Sequence, residues 1–364
     1  MKNPAPNASL QRPPCEQLYA DELSWLREHD RDPRPPGWQL SLRAVRTFIL
    51  GDKKISAKLV LPPSLVDRAM VTLASNRALL LIGEPGTAKS LLSELLAAAI
   101  SGDSTLTIQG GAATTEDQIK YSWNYALLLN EGPTPRALVP APLLTGMSQG
   151  RVVRFEEITR CPPEVQDALL SPMSERLIMI PELEGEYSQV FARAGFNLIA
   201  TANTRDRGVN EMSSALKRRF AFETVFAIQD LDAELDLVRR EATRLLAQSG
   251  VPAAPPDDVL EVLVTCFREL REGIDAEGGG MERLSTVMST AEAVSVACSV
   301  GLRGHFLRGD RGEAGDIVEA LAGTAVKDSS DDLKKVRRYL ELRVAKRKGR
   351  AWKAFYEARN RLQG

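Results

Sequence analysis

Residues 78–90 have the sequence Ala-Leu-Leu-Leu-Ile-Gly-Glu-Pro-Gly-Thr-Ala-Lys-Ser. The apolar run predicts a β-strand, the glycine-containing segment predicts a turn, and the Lys-Ser pair opens a predicted helix. Such a turn presents backbone N–H groups to phosphate oxygens, and the helix N-terminus adds its positive end. We therefore expect Lys89 to contact the β- and γ-phosphates of a nucleotide and Ser90 to bind Mg²⁺ through its hydroxyl.

One position departs from the usual pattern G-x-x-x-x-G-K-[ST], because Ala88 stands where glycine is usual. Alanine is the smallest replacement, and Gly83 and Gly86 keep the positions where the backbone must bend or approach closely. A structural glycine turn is the alternative, but the flanking strand and helix favour phosphate binding. The predicted nucleotide-binding residues of this loop are Gly83, Glu84, Pro85, Gly86, Thr87, Ala88, Lys89 and Ser90.

Residues 151–157 supply the acidic groups that such a site needs, since this short β-rich run ends in Glu156 and Glu157. We expect Glu156 to hold Mg²⁺ through a water molecule and Glu157 to polarise the attacking water. The usual residue at the first position is Asp, so Glu156 places its carboxylate one methylene further out. The alternative is a strand with a solvated acidic end.

Two further segments supply candidate catalytic groups. The apolar run 196–203 predicts a strand between the two motif strands, and its terminal Asn203 could orient the nucleophilic water or be an ordinary turn residue. Residues 213–220 predict a short helix that ends in Arg218 and Arg219. An arginine here could reach the nucleotide of a neighbouring subunit, or belong to a surface basic cluster favoured by the helix dipole.

These elements together resemble the MoxR family of AAA+ ATPases. The resemblance covers roughly residues 45–230, through the stretches 81–90, 155–160, 163–170, 200–208 and 215–220. It implies a P-loop α/β core with a C-terminal helical lid, ATP and Mg²⁺ at subunit interfaces, and a hexameric ring. It also implies a chaperone-like or remodelling role on a protein partner that carries a von Willebrand factor A domain. Arg219 ranks ahead of Arg218 because it directly precedes Phe220, as the family's arginine finger does.

Two segments resemble the insertions of the AAA+ clade that contains MoxR proteins and metal chelatases. Residues 126–139 contain a Gly-Pro turn between two apolar runs, which predicts a hairpin that interrupts a helix. Residues 177–187 predict a second hairpin before the strand that ends at Asn203. Such loops often face the pore of a ring, and surface decoration is the alternative.

The composition indicates an ordinary globular protein. The chain has 364 residues, of which 43% are hydrophobic and 26% charged, and its formal net charge of −1 gives no general attraction to nucleic acid. Apolar runs stay shorter than the roughly 20 residues of a membrane helix. The cysteines are scattered, without a C-x-x-C pair. These features predict a cytoplasmic protein without a membrane span and without nucleic acid as its partner.

The predicted domains are an N-terminal extension (1–44), an ATPase core (45–228), a helical lid (229–345) and a basic C-terminal tail (346–364). Seven of the 21 prolines lie in residues 1–37, which predicts a flexible or arm-like extension in that part. Within it, residues 16–29 predict one helix that docks on a neighbour. A final strand is expected to give way to helix within residues 225–232.

The lid is expected to contribute one more arginine to the nucleotide. Residues 257–270 and 281–300 predict lid helices. The run Gly278-Gly279-Gly280 favours a helix start that puts Arg283 in the first turn, where it could sense the γ-phosphate; a surface arginine is the alternative. The capping-box spacing at Ser289 favours a later start that leaves no arginine in that turn.

Three functions are compatible with these features. A remodelling ATPase that acts on a protein partner is favoured by the motifs and the two insertions. A nucleic-acid motor of the helicase-loader type is favoured only by the basic and aromatic segment 334–361, which an amphipathic helix with an aromatic docking stripe explains as well. A nucleotide-switch module without turnover is suggested by Ala88 and Glu156.

Overall fold

The computed structural model describes residues 12–203, 210–274, 279–327 and 329–362. The chain forms two compact units, residues 1–83 with 88–225 and residues 84–87 with 226–364. The family-like stretch at 204–208 and the glycine at 278 lie outside the described residues.

The first unit contains all nine β-strands found in the described ranges. They are β1 (Ala78–Gly83), β2 (Thr107–Gln109), β3 (Tyr121–Trp123), β4 (Leu138–Pro140), β5 (Val152–Glu156), β6 (Leu177–Met179), β7 (Gln189–Phe191), β8 (Asn197–Asn203) and β9 (Phe220–Thr224). Its helices are α1 (Cys15–Leu18), α2 (Ala20–His29), α3 (Leu42–Leu50), α4 (Pro63–Ala74), α5 (Lys89–Ser101), α6 (Tyr125–Glu131), α7 (Pro142–Gln149), α8 (Pro163–Asp167), α9 (Leu170–Ser174) and α10 (Ser214–Lys217). Short 3₁₀ turns occupy Glu116–Gln118, Ile158–Arg160 and Gly185–Ser188.

A five-stranded parallel sheet forms the centre of this unit, in the order β2-β5-β8-β1-β9. Strands β1, β5 and β8 are almost entirely buried, as expected for a parallel sheet covered on both faces. The predicted α/β fold is therefore confirmed. The strand that ends at Asn203 lies between the two motif strands, as predicted, so the carboxyl ends of all three meet at one edge.

The described part of the N-terminal segment packs into this unit instead of forming a free arm. Cys15, Leu23, Leu26, Trp38 and Leu40 are all buried in the core that includes α5. The predicted helix over 16–29 is split in two at Tyr19, and it docks on its own chain. The prolines misled the prediction because the apolar residues between them are enough to bury two short helices.

The two predicted insertions differ in how well they match the structure. Strands β6 and β7 pair antiparallel and confirm the hairpin that follows residue 177, although the second strand begins only at Gln189. In the other insertion β3 pairs with β4, and α6 occupies most of the segment expected to form the first strand. Asn124 caps α6 by accepting a hydrogen bond from Leu127 N (3.3 Å), which explains why these apolar residues are helical.

The second unit is helical. Its helices are α11 (Leu231–Gln248), α12 (Asp257–Glu272), α13 (Thr290–Arg303), α14 (Ala314–Leu321), α15 (Ser330–Leu342) and α16 (Arg350–Glu357), with π-helical turns at Gly304–Arg308 and Ala322–Val326 and 3₁₀ turns at Val344–Lys346 and Ala358–Arg361. The predicted helix 257–270 is confirmed. The final strand, β9, ends at Thr224, just before the segment 225–232 in which its end was predicted.

The C-terminal segment is part of the core of the second unit and not a tail, as far as Leu362. Trp352, Phe355 and Leu362 are buried in that core, and Arg347 stacks over the Trp352 ring at 4.3 Å. In the described ranges, no helix combines the length and apolar character needed to cross a membrane. Cys15, Cys161, Cys266 and Cys298 are free thiols.

Candidate active site

The loop between β1 and α5 contains two backbone conformations of the left-handed type. Gly86 has φ +76° and Ala88 has φ +65°. The Thr87 hydroxyl donates to the Glu84 carbonyl (2.9 Å) and closes the turn. The left-handed conformation explains why glycine is usual at position 88, since a Cβ there costs roughly 1–2 kcal/mol. Alanine still adopts the same backbone, so the loop keeps its shape.

Lys89 and Ser90 form the first turn of α5. The Lys89 side chain is buried, and its ammonium donates to the Gly83 carbonyl at the end of β1 (3.1 Å). This contact holds the cationic group at the carboxyl edge of the sheet, beside the helix N-terminus. Both features favour an anionic phosphate at this place.

Ser90 and Glu156, which are distant in sequence, are in direct contact. The Ser90 hydroxyl donates to Glu156 Oε2 (2.7 Å), and the Thr201 hydroxyl of the neighbouring strand donates to the same oxygen (2.8 Å). Burial alone would raise the pKa of the Glu156 carboxyl. The hydrogen bond from Ser90, the positive charge of Arg154 and the other donors outweigh it, so the pKa is lowered and Glu156 is ionised.

The geometry fits a magnesium ion bound at Ser90 with Glu156 in its outer sphere. Glu156 Oε1 accepts from the Ser93 hydroxyl (2.7 Å) and from Arg154 (2.8 Å), so each carboxylate oxygen already accepts two hydrogen bonds. The Ser90 hydroxyl donates its proton and keeps lone pairs for a hard cation, which prefers oxygen ligands. Because these four donors fill the acceptor positions of the carboxylate, Glu156 would have to give up one of them to accept from a metal-bound water, and its role through water stays a prediction.

Glu157 lies at the turn that follows β5, in the left-handed conformation (φ +55°). Its N–H donates to the Thr201 hydroxyl (3.0 Å), which fixes the turn against β8. Its carboxylate forms an ion pair with Arg160, and about a third of the side chain (33%) is exposed. Glu157 therefore lies at the edge where a base for water would be needed.

Asn203 is the last residue of β8, and its register partner on β1 is Gly83, directly before the phosphate-binding turn. The structure therefore brings the end of the predicted sensor strand to the same edge as Lys89.

The two predicted finger arginines follow α10 and differ in their surroundings. Arg218 is exposed. Arg219 is half-buried, and its guanidinium donates to the Ser174 hydroxyl and to the Ala215 carbonyl (2.5 Å) of its own chain. These contacts orient Arg219, while its role in a neighbouring subunit's site stays a prediction.

The predicted placement of Arg283 in the first turn of a lid helix is wrong. Helix α13 begins at Thr290, and Ser289 caps it with the full capping box, accepting from Glu292 N (3.2 Å) while Glu292 Oε2 accepts from Ser289 N (3.0 Å). Two N-terminal donors are satisfied in this way, which favours the later start. Arg283 lies in the non-helical segment before it, where its Nε donates to the Glu272 carbonyl at the end of α12 (2.8 Å).

Sequence reasoning missed three residues of this site: Arg154, Ser93 and Thr201. A signal existed for two of them. Arg154 and Glu156 are two apart on a strand and share a face, and Ser90 and Ser93 are one turn apart on a helix.

Both units match known domain families. Residues 78–220 match the AAA domain of the dynein-related subfamily, and residues 232–363 match the YehL-like AAA+ ATPase C-terminal domain. The fold and the site thus define an AAA+ protein with a P-loop.

Comparison with whole proteins specifies the family further. The chain is 62% identical to the uncharacterized protein YehL of Escherichia coli K12, over 98% of this chain and 99% of that protein. The chain therefore belongs to the YehL-like AAA+ ATPases. The gas vesicle ATPase GvpN1 of Halobacterium salinarum is 28% identical over 39% of this chain and 38% of that protein. The structure of NtrX from Brucella abortus in complex with ATP is similar in fold (TM-score 0.50, 14% identity), over 79% of this chain and 62% of that one.

Proposed function

We propose that this chain is a magnesium-dependent ATP hydrolase. The observation that carries the proposal is the hydrogen bond between the Ser90 hydroxyl and the Glu156 carboxylate (2.7 Å). Lys89 directly precedes Ser90 in the sequence, and Glu157 directly follows Glu156. This arrangement brings a hydroxyl, an ionised carboxylate, a lysine ammonium and a second carboxylate to one edge of the sheet, and the proposed reaction requires these four groups.

Each residue has a defined task in the proposed reaction. Lys89 and the loop N–H groups bind the β- and γ-phosphates, and Asn203 orients the attacking water. Glu157 accepts the proton of that water as its oxygen attacks the γ-phosphorus and the β–γ bridging bond breaks. Magnesium, when bound, neutralises charge that develops on the phosphate oxygens.

A nucleotide switch without turnover is the second candidate, and one observation favours it. The Glu157 carboxylate forms an ion pair with Arg160. This ion pair would slow proton transfer to Glu157 without changing the phosphate contacts of Lys89, whereas Ala88 leaves the shape of the loop unchanged.

Steady-state phosphate release, measured beside ATP binding, decides between the two. For the hydrolase, wild type releases phosphate well above a Glu157→Gln variant, while both bind ATP with similar affinity. A Lys89→Ala variant should lose binding itself. Equal phosphate release by wild type and Glu157→Gln, with ATP bound by both, would support the switch.

We further propose that the ATPase acts as a cytoplasmic hexameric ring on a protein partner with a von Willebrand factor A domain. The resemblance to MoxR proteins supports this proposal. The nucleic-acid alternative is weakened because Tyr339, Trp352 and Phe355 are buried and cannot stack on bases. A pull-down with Glu157→Gln in ATP tests the choice: a partner protein is expected, and salt-sensitive recovery of DNA or RNA would contradict it.

A further inference from the structure

Arg154 is a buried cation in the middle of β5. It is 8% exposed, and Glu156, on the same face of the strand, is 5% exposed. A buried arginine is costly unless it is paired and its donors are satisfied. All five of its N–H groups have acceptors, which are Ser93 Oγ (3.0 Å), Ser104 O (3.1 Å), Thr107 Oγ1 (3.3 Å), Ser90 O (3.2 Å) and Glu156 Oε1 (2.8 Å).

These contacts join both candidate metal-site residues to one side chain. Arg154 holds the carboxylate of Glu156 and the backbone of Ser90, and through the Ser93 hydroxyl it contacts the next turn of α5. A guanidinium loses none of its charge at any pH at which proteins are folded. The Ser90–Glu156 pair is therefore in contact with one permanent positive charge before any metal binds, in addition to the Lys89 ammonium and the Glu157 carboxylate at the same edge of the sheet.

We propose that Arg154 is the positioning residue and built-in counter-ion of Glu156, so that a divalent cation binds at Ser90 only together with nucleotide phosphates. This inference rests on the proposed function of the same site. The four hydrogen bonds to Glu156 keep its oxygens in place without a metal, and the Arg154 charge repels a lone divalent cation. Triphosphate oxygens supply the missing negative charge when ATP is bound.

The same pairing explains why position 156 is glutamate. The side chain of Glu156 accepts from Ser90 and Thr201 with one oxygen and from Arg154, two residues earlier on its own strand, with the other. An aspartate is one methylene shorter, and it would have to give up one of these two sets of donors.

Manganese binding to the full-length protein tests the inference, with free Mn²⁺ measured by electron paramagnetic resonance. Wild type should bind Mn²⁺ in the presence of ATP and at least about tenfold more weakly in its absence. An Arg154→Met variant should gain nucleotide-independent Mn²⁺ binding, at least about tenfold tighter than wild type. An Arg154→Lys variant keeps the charge and should stay as weak as wild type without ATP.

Two controls make the result specific. Arg271→Met breaks another buried Arg–Glu pair, with Glu234 of the second unit, and should create no Mn²⁺ site. Arg154→Met combined with Glu156→Gln should abolish the gain.

The inference is overturned if wild type binds Mn²⁺ equally well with and without ATP, or if folded Arg154→Met binds Mn²⁺ no more tightly than wild type. If that variant does not fold, Arg154→Gln takes its place, because glutamine also lacks the positive charge. If wild type binds ATP but ATP and Mn²⁺ do not strengthen each other's binding, the inference is refuted and the proposed function is not. If wild type binds no ATP, the proposed function is refuted as well.

Discussion

Ala88 holds the phosphate-binding loop in a left-handed conformation that glycine adopts without strain. Its φ of +65° puts the Cβ close to the following carbonyl, at a cost of roughly 1–2 kcal/mol. Glycine would remove this strain, but it would also give the unfolded chain more conformational freedom, which destabilises the fold by roughly 0.5–1 kcal/mol. We therefore expect Ala88→Gly to raise the free energy of unfolding by about 0.5–1 kcal/mol.

Chemical denaturation measures this change, and Ala98→Gly is the matched control. Ala98 lies in the interior of α5 with its methyl group buried, so the same substitution should destabilise there by more than about 1 kcal/mol, from helix propensity and from lost packing. A loss of stability in Ala88→Gly similar to that in Ala98→Gly would contradict the strain at position 88.

Asp30 connects α2 to α3 and should give stability that depends on pH. Its carboxylate accepts from Ser41 N and Ser41 Oγ (2.8 Å each). Burial alone would raise its pKa, but these donors lower it below the ordinary value of 3.8. A carboxyl whose pKa is lower in the folded than in the unfolded state stabilises the folded protein above pH 3.8. This stabilisation is lost as the pH falls through the folded-state pKa.

An Asp30→Asn variant should therefore lose about 1–3 kcal/mol at pH 7 and less at pH 3. Urea unfolding at the two pH values measures the difference. An equal loss at both would show that the charge of Asp30 does not matter. Asp52→Asn is a comparison, because backbone donors also lower the pKa of the Asp52 carboxyl but the group is solvent-exposed and contacts only its own turn, so its loss should be smaller at both pH values.

At the scale of elements, the N-terminal helices support the helix that presents Lys89 and Ser90. The Glu16 carboxylate of α1 accepts from Ser104 N (3.1 Å) and Ser104 Oγ (2.6 Å), just beyond α5. Leu23 of α2 is almost fully buried. The segment therefore belongs to the ATPase core.

Truncation of Leu23 tests this assignment. Leu23→Ala should cost about 2–5 kcal/mol, as expected for a buried leucine, and should lower the thermal midpoint of the whole core. Leu18→Ala, at a position of α1 that is 38% exposed, should cost less. Stability unchanged by both substitutions would mean that the segment is a free arm.

A feature of this fold can be predicted from the sequence when the residues that determine it lie close together along the chain. The strand-turn-helix at 78–90 and the strand ending at Glu157 are predictable because their patterns are contiguous. The start of α13 was mispredicted because a glycine run competed with the capping box at Ser289, and only the box satisfies backbone donors. The spacing of Arg154 and Glu156 indicates a shared face, but the other acceptors of Arg154 lie on α5, at Ser104 and on β2, so the stretch 151–157 alone does not indicate that this arginine is buried.

At the scale of the whole molecule, the proposed ring needs an arginine from one subunit at the site of another. Arg219→Ala and Glu157→Gln should each abolish turnover. Mixing the two variants should restore part of it, because some interfaces then contain an intact Arg219 and an intact Glu157. Phosphate release from mixtures at several ratios measures the recovery. Ser174→Ala, which removes one partner of Arg219, should reduce turnover less. Mixtures no more active than either variant, or a monomer at every ATP concentration, would contradict the ring.

The most direct test of the account is a single-turnover measurement of bound ATP. The full-length protein is loaded with ATP without metal, Mg²⁺ is added, and ADP is measured over time in wild type, Glu157→Gln and Ser90→Ala. The account predicts that wild type converts its bound ATP to ADP at least about a hundredfold faster than Glu157→Gln. Ser90→Ala should bind ATP but respond little to Mg²⁺. Bound ATP that persists in wild type as long as in Glu157→Gln would contradict hydrolysis at this site.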